Sequence, residues 1–142
     1  MDRLTKERRS WNMSRIRNKD TTPEKAVRSA LFKLGFRFRL HQKDLPGKPD
    51  IVLKKYKAVI FVNGCFWHRH YGCKYAYNPK SRVQFWEKKF EQNVIAQEKA
   101  VHELDQMGWG VLVIWECELA NLELVEQKLT LFLKKTRSKK SI

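Results

Sequence analysis

Two apolar runs, Ala58-Val59-Ile60-Phe61-Val62 and Val111-Leu112-Val113-Ile114-Trp115, bracket a stretch of helical periodicity, and this arrangement narrows the folds open to the chain more than any other feature. Each run is short, rich in β-branched residues and apolar throughout, as an interior strand covered on both faces should be. Between them Trp86, Phe90, Val94, Val101 and Leu104 supply one apolar side of a helix over residues 82–107, which Gly108 stops. Strand, long helix, strand predicts a right-handed crossover and a parallel pair. Upstream, Thr21 or Thr22 can cap a helix with Pro23 in its first turn and Ala26, Val27, Ala30, Leu31 and Leu34 on one face, ending at Gly35. Phe36, Phe38 and Leu40 then alternate with Arg37 and Arg39 as a half-buried strand, and Asp50-Ile51-Val52-Leu53 opens another. Short turns among these strands favour an antiparallel meander leading into the central strand. A last helix carries Leu122, Val125, Leu129, Phe132 and Leu133.

The expectation is one α/β domain over residues 1–142, a mixed central sheet flanked by helices, with a basic segment at 1–19 and a frayed basic tail at 134–142. Its 142 residues leave little room for a second core, and 42% hydrophobic residues suffice for one. The formal net charge of +15 favours a polyanionic partner, nucleic acid ahead of a membrane surface. No stretch is long and apolar enough to span a bilayer, and the first residues lack the apolar centre of a secretory signal. Three cysteines, an odd count, argue against a closed disulfide framework and for a reducing cytosol.

Pro49-Asp50 stands at the head of a strand after a Gly/Pro turn, a position suited to hold a divalent cation near a phosphate. The plainer reading, an Asp finishing its turn, is the commoner one for this feature taken alone. Glu24 follows Thr21 at capping-box spacing, and it can equally hold water at a metal beside Asp50. The segment Cys65-Phe66-Trp67-His68-Arg69-His70-Tyr71-Gly72-Cys73 is the most specific. Cys65, His70 and Cys73, with Cys117 after a strand end, make a familiar tetrahedral zinc set. Inert buried thiols are the weaker alternative, because a long polar loop offers them no core. His68 is then left over as a proton acceptor near pH 7, although spacing alone leaves His68 and His70 interchangeable in these roles. Phe66, Trp67 and Trp86 are candidate wedges for unstacking a mispair, with core packing the better reading for Trp86. Met13 on the N-terminal segment is a further candidate wedge.

Taken together, Asn12-Met13, residues 20–24, Leu45-Pro46-Gly47-Lys48-Pro49-Asp50, Val59-Ile60-Phe61, Gly64-Cys65-Phe66-Trp67-His68, Phe85-Trp86, Asn93 and the residues from Gly108-Trp109 to Trp115-Glu116-Cys117 closely resemble the very-short-patch-repair (Vsr) mismatch endonucleases. The match runs in order over most of the chain. The resemblance implies a restriction-endonuclease-like fold and magnesium-dependent nicking on the 5′ side of the thymine in a T:G mispair in double-stranded DNA. It implies Asp50 and the backbone carbonyl of Val62 as Mg2+ ligands, Glu24 as supporting acid and His68 as general base. Cys65, His70, Cys73 and Cys117 fall at structural Zn2+ positions, and Met13, Phe66, Trp67, Trp86, Lys89 and Asn93 are assigned to DNA. A monomer of the bacterial cytosol, associated with the nucleoid and with repair proteins as candidate partners, completes the expectation.

Three departures accompany the resemblance. Val62 and Asn63 replace a polar or basic pair, one extra residue separates His70 from Cys73, and the acid and lysine of ordinary restriction enzymes would fall at Phe61 and Asn63. The last favours a histidine-based variant. The rival readings are a zinc-stabilised, non-catalytic nucleic-acid-binding module and another nuclease of the same fold, of resolvase or restriction type.

Overall fold

A computed structural model describes residues 21–66, 68–73, 76 and 78–140, the last four by backbone alone. Four strands form one sheet in the order β1 (Arg39–Leu40), β2 (Ile51–Leu53), β3 (Ala58–Asn63) and β4 (Gly110–Trp115). The first three are antiparallel neighbours and β3 pairs with β4 in parallel, Ala58 opposite Gly110 through Asn63 opposite Trp115. Helices α1 (Thr22–Lys33), α2 (Val83–Gln106) and α3 (Leu122–Lys140) complete the domain. No helix among the described residues is long and apolar enough to cross a membrane.

The sheet has a core on each face, which is why its central strands read as continuous apolar runs. On one face Ile51, Leu53, Ala58, Ile60 and Ile114 meet Val27, Ala30 and Leu31 of α1 and Val125, Leu129 and Leu133 of α3. On the other, Val52, Val59 and Phe61 meet Ala100 and Leu104 of α2. At 24 residues α2 is about 36 Å long. A strand of 6 residues covers only about 20 Å. The first turns of α2 therefore overhang the sheet, leaving Val83 and Phe85 exposed.

Thr21 caps α1, accepting from the Glu24 amide at 3.3 Å. The strand expected from Phe36 begins only at Arg39. The amides of Gly35 and Phe36 are taken by the carbonyls of Phe32 and Leu31, closing α1 in a Schellman motif with Gly35 in the left-handed region. Phe36 and Phe38 instead pack against the α1/α3 core. The tail expected to fray from residue 134 is helical to Lys140, the end of α3. Thr136 is buried there, its methyl filling the space where Gly110 has no side chain, so the helix end is held against the start of β4. The expected basic segment at 1–19 lies outside the described residues.

Asn121 caps α3 through the Leu124 amide, and the buried residues then recur at helical spacing, whereas Leu131 lies 62% exposed on the opposite side. Leu129→Ala should therefore cost about 2–5 kcal/mol in urea denaturation, and Leu131→Ala no more than about 0.5 kcal/mol. Equal losses would contradict this packing.

Candidate active site

The turn before β2 delivers Asp50. Gly47 adopts φ +73° and comes so close to α2 that an added Cβ would lie 2.5 Å from the Ala100 Cβ; Pro49 is buried behind it. One Asp50 carboxylate oxygen accepts the Val62 amide of β3 at 2.7 Å. Burial pushes the Asp50 pKa up to about 7, opposed by the Val62 hydrogen bond and reinforced by the neighbouring Glu24.

Glu24 reaches Asp50 from the first turn of α1 and is almost fully buried. Its backbone serves the helix cap while its side chain faces inward, so the capping and the inward-facing readings coexist in one residue. Arg28, one turn later, donates to the Glu24 carboxylate at 2.9 Å. A third group was not anticipated: His41 Nε2 lies 3.5 Å from Glu24 and 3.1 Å from an Arg28 nitrogen. Glu24, His41 and Asp50 each present a ligand atom within 4.8 Å of the others. The signal for His41 was the strand register. Leu40 opposite Ile51 puts His41 opposite Asp50, and the His41 amide does approach the Asp50 carbonyl at 3.4 Å. A buried and a half-buried carboxylate with an imidazole are a donor set suited to a divalent cation, which would relieve the repulsion between the acids.

Val62 itself packs its side chain against the α1/α3 core and offers only backbone to the site. Asn63, nearly inaccessible, exchanges amide hydrogen bonds with Gln97 of α2 at 2.6 and 2.8 Å. It ties the end of β3 to that helix.

His68 stands apart from the acidic group. Among the described residues no hydrogen bond or ion pair joins it to Asp50, its Nδ1 is buried without a partner, and burial lowers its pKa. It lines an open cleft with Gln97, His102, Trp109 and Trp115. His70 borders the same cleft but turns its Nδ1 to the sulfur atoms. Its Nδ1 lies 3.6 Å from the Cys65 sulfur and 3.3 Å from the Cys117 sulfur, and its ring stacks on Trp115 at 4.2 Å. Cys73 joins these three, all four ligand atoms lying within 4.8 Å of one another. The interchange that spacing left open is thus resolved in favour of His70 as the neighbour of the thiols. The cause is Arg69, whose left-handed φ of 54° reverses the chain between the two histidines. Arg69 is also the anchor of the loop, donating to the Ala76 carbonyl and the Asn78 side chain, with its guanidinium 4.2 Å from the centre of the Phe90 ring.

Burial and the neighbouring thiols push the Cys65 pKa up to about 12, and burial raises that of Cys117 as well. Three thiols gathered around an imidazole gain from a divalent cation that displaces their protons.

Phe66 packs edge-on against Trp86 and Phe90 at 5.5 and 5.0 Å, with Phe85 beside Trp86 at 5.2 Å. This aromatic group sits under the overhanging turns of α2. Trp86 is half-buried there rather than part of either core. On the same helix Lys89 is exposed and Asn93 half-buried. Trp67 and Met13 lie outside the described residues.

The sequence profile of the DNA mismatch endonuclease Vsr family matches residues 1–74. The type II nicking enzyme V.XorIIP of Xanthomonas oryzae pv. oryzae is 50% identical over 90% of this chain and 93% of its own. V.NmeAIP of Neisseria meningitidis is 44% identical over 90% and 91%, and the DNA mismatch endonuclease Vsr of Escherichia coli K12 is 42% identical over 86% and 78%. In three dimensions the catalytic domain of the homing endonuclease I-Bth0305I superimposes with a TM-score of 0.53 over 82% of this chain and 98% of that one, at 24% identity, which shows a shared fold. Identity at these levels over most of each chain leaves one relationship: the chain belongs to the Vsr family of DNA mismatch endonucleases, a DNA endonuclease acting on phosphodiester bonds.

Proposed function

We propose that this endonuclease nicks one strand of duplex DNA on the 5′ side of the thymine in a T:G mispair, with Mg2+, as the first step of very short patch repair. The observation that carries this reading is the close carboxylate pair of half-buried Asp50 and buried Glu24, a seat for a dication in a chain of net charge +15. Asp50, Glu24 and the Val62 carbonyl would hold Mg2+, which when bound polarises the phosphate and offsets its developing charge. The Val62 amide fixes the Asp50 carboxylate, and Arg28 fixes that of Glu24. His68, kept neutral by burial, takes the proton of the attacking water on its imidazole.

Phe66 and Trp67, supported by Trp86, would enter the base stack at the mispair from one side and Met13 from the other. A mispair costs less to unstack than a matched pair, which supplies selectivity. Lys89, Asn93 and the basic residues 1–19 would hold the phosphate backbone and add salt-dependent affinity. Cys65, His70, Cys73 and Cys117 would carry a structural Zn2+. The enzyme would act as a monomer in the bacterial cytosol at the nucleoid, with proteins of a repair pathway as its partners.

A nicking assay on T:G, matched and branched duplexes tests the reading. Wild type should cut only the T:G strand and only with a divalent cation, and Asp50→Ala or His68→Ala should lower the rate by about 10²–10⁴-fold. Binding to T:G duplex without any nicking would sink the enzymatic reading, and equal cutting of matched duplex would sink the mispair preference.

The pKa of Asp50 gives a second test. With its folded value near 7 against an ordinary 3.8, the metal-free folded protein binds the extra proton between those limits. Its stability should therefore fall as pH rises from about 4 to about 7 and then level off. Asp50→Asn should remove that slope and melt higher than wild type at about pH 8 without metal. An unchanged slope in the variant would assign it to another group.

Metal analysis should find about one zinc per chain, and Cys117→Ser should lose it, melting earlier while the folded fraction still nicks at low temperature. A zinc-free wild type of full stability would overturn the structural role.

A further inference from the structure

We propose that His41 is a further ligand of the cation held by Glu24 and Asp50, and that its nitrogen raises the site's affinity for Mn2+ relative to Mg2+ above that of an all-oxygen site. The inference rests on the endonuclease reading of that pocket and deepens it.

Three observations place His41 there. A ring nitrogen of His41 lies within 4.8 Å of ligand oxygens on both acids, making it the only nitrogen donor of that cluster among the described residues, and its Nε2 is 3.5 Å from Glu24. Its Nε2 lies 3.1 Å from an Arg28 nitrogen, closer than the 3.5 Å to the Glu24 oxygen. A guanidinium can only donate, so that contact is a hydrogen bond only when Nε2 presents its lone pair, with the ring proton on Nδ1. That is also the tautomer a cation needs, and because Nε2 has one lone pair, a bound cation would take the place of the Arg28 contact. The backbone supports the same placement: His41 adopts φ 48°, a left-handed conformation, immediately where β1 ends, while its amide still faces the Asp50 carbonyl. A residue held there at a cost in strain is characteristic of functional positions.

The adjoining strand contributes no side-chain donor. Val62 is apolar and packed in the core, and the Asn63 amide is committed to Gln97. His41 thus completes a set of two carboxylates and one imidazole. Mg2+ takes oxygen donors and disfavours nitrogen, whereas Mn2+ and later divalent ions accept imidazole.

The test is pulsed electron paramagnetic resonance of Mn2+ added to the zinc-replete protein bound to a T:G duplex, together with Mn2+ affinity. Wild type should show nitrogen hyperfine coupling, lost in His41→Asn, with Mn2+ affinity weakened about 10–100-fold and Mg2+ affinity changed little. Asn tolerates the left-handed conformation, so the fold should survive, and His41→Gln and the melting temperature provide the control. Coupling and affinity that persist in His41→Asn, or are missing from wild type, overturn the proposal. Should wild type nick T:G duplex while His41→Asn binds Mn2+ unchanged, His41 has no part and the endonuclease reading stands. Nitrogen coordination lost with His41 in a protein that never nicks upholds the ligand and overturns the reaction.

Discussion

A carboxylate inside a protein must be held against the cost of losing its water, and Asp50 is held by one backbone amide, that of Val62 at 2.7 Å. That bond joins the head of β2 to the end of β3, outside the regular ladder that pairs Ile51 with Ile60. Everything the site contains is placed relative to it. The Gly47 turn brings Asp50 up to β3, α1 crosses the same edge with Glu24 in its first turn, and β1 ends with His41 opposite. The hydrogen bond lowers the pKa of Asp50, but less than burial and Glu24 raise it, so the metal-free site is poised to exchange a proton for a cation. A pocket that is costly when empty of positive charge binds a dication more tightly than an exposed carboxylate pair does.

The loop after β3 solves a different problem, that of ordering an irregular, polar stretch next to the chemistry. Its hydrogen bonds converge on Arg69, and its sulfur atoms converge on His70. Arg69 is in the left-handed conformation between the two histidines; both border the cleft, but only His70 joins the thiols. Stacking of His70 on Trp115 fastens the cluster to the last residue of β4, so this loop is tied to both central strands.

The architecture was legible in the sequence because periodicity and burial coincide here: both interior strands, the helix between them and the α3 stripe follow from apolar spacing. The limits of β1 were not, since the Schellman closure of α1 takes the Phe36 amide and no hydropathy pattern records that. The end of α3 was not, because a run of lysines reads as solvated tail while Thr136 packs on a glycine far away in sequence. In the site, Asp50 and Glu24 were visible as types at plausible positions, and the cysteine set as a spacing. His41 was overlooked as a lone histidine after a charged strand. It becomes visible only through register, which needs the strand pairing and not the residue pattern. The choice between His68 and His70 turned on the φ angle of Arg69, a quantity that residue type does not encode.

Both clusters hang on β3, Asp50 through Val62 and the thiols through Cys65, two residues past the strand's end. The strand is buried on both faces, and its last residue is locked to α2 by the Asn63–Gln97 amide pair. Its end is therefore a fixed reference for two groups, the Asp50 and Glu24 carboxylates and the loop that carries His68 and Phe66. The overhang of α2 extends that reference outward: Phe90 is buried, Trp86 half-buried and Phe85 exposed, a gradation from core to surface along one helix.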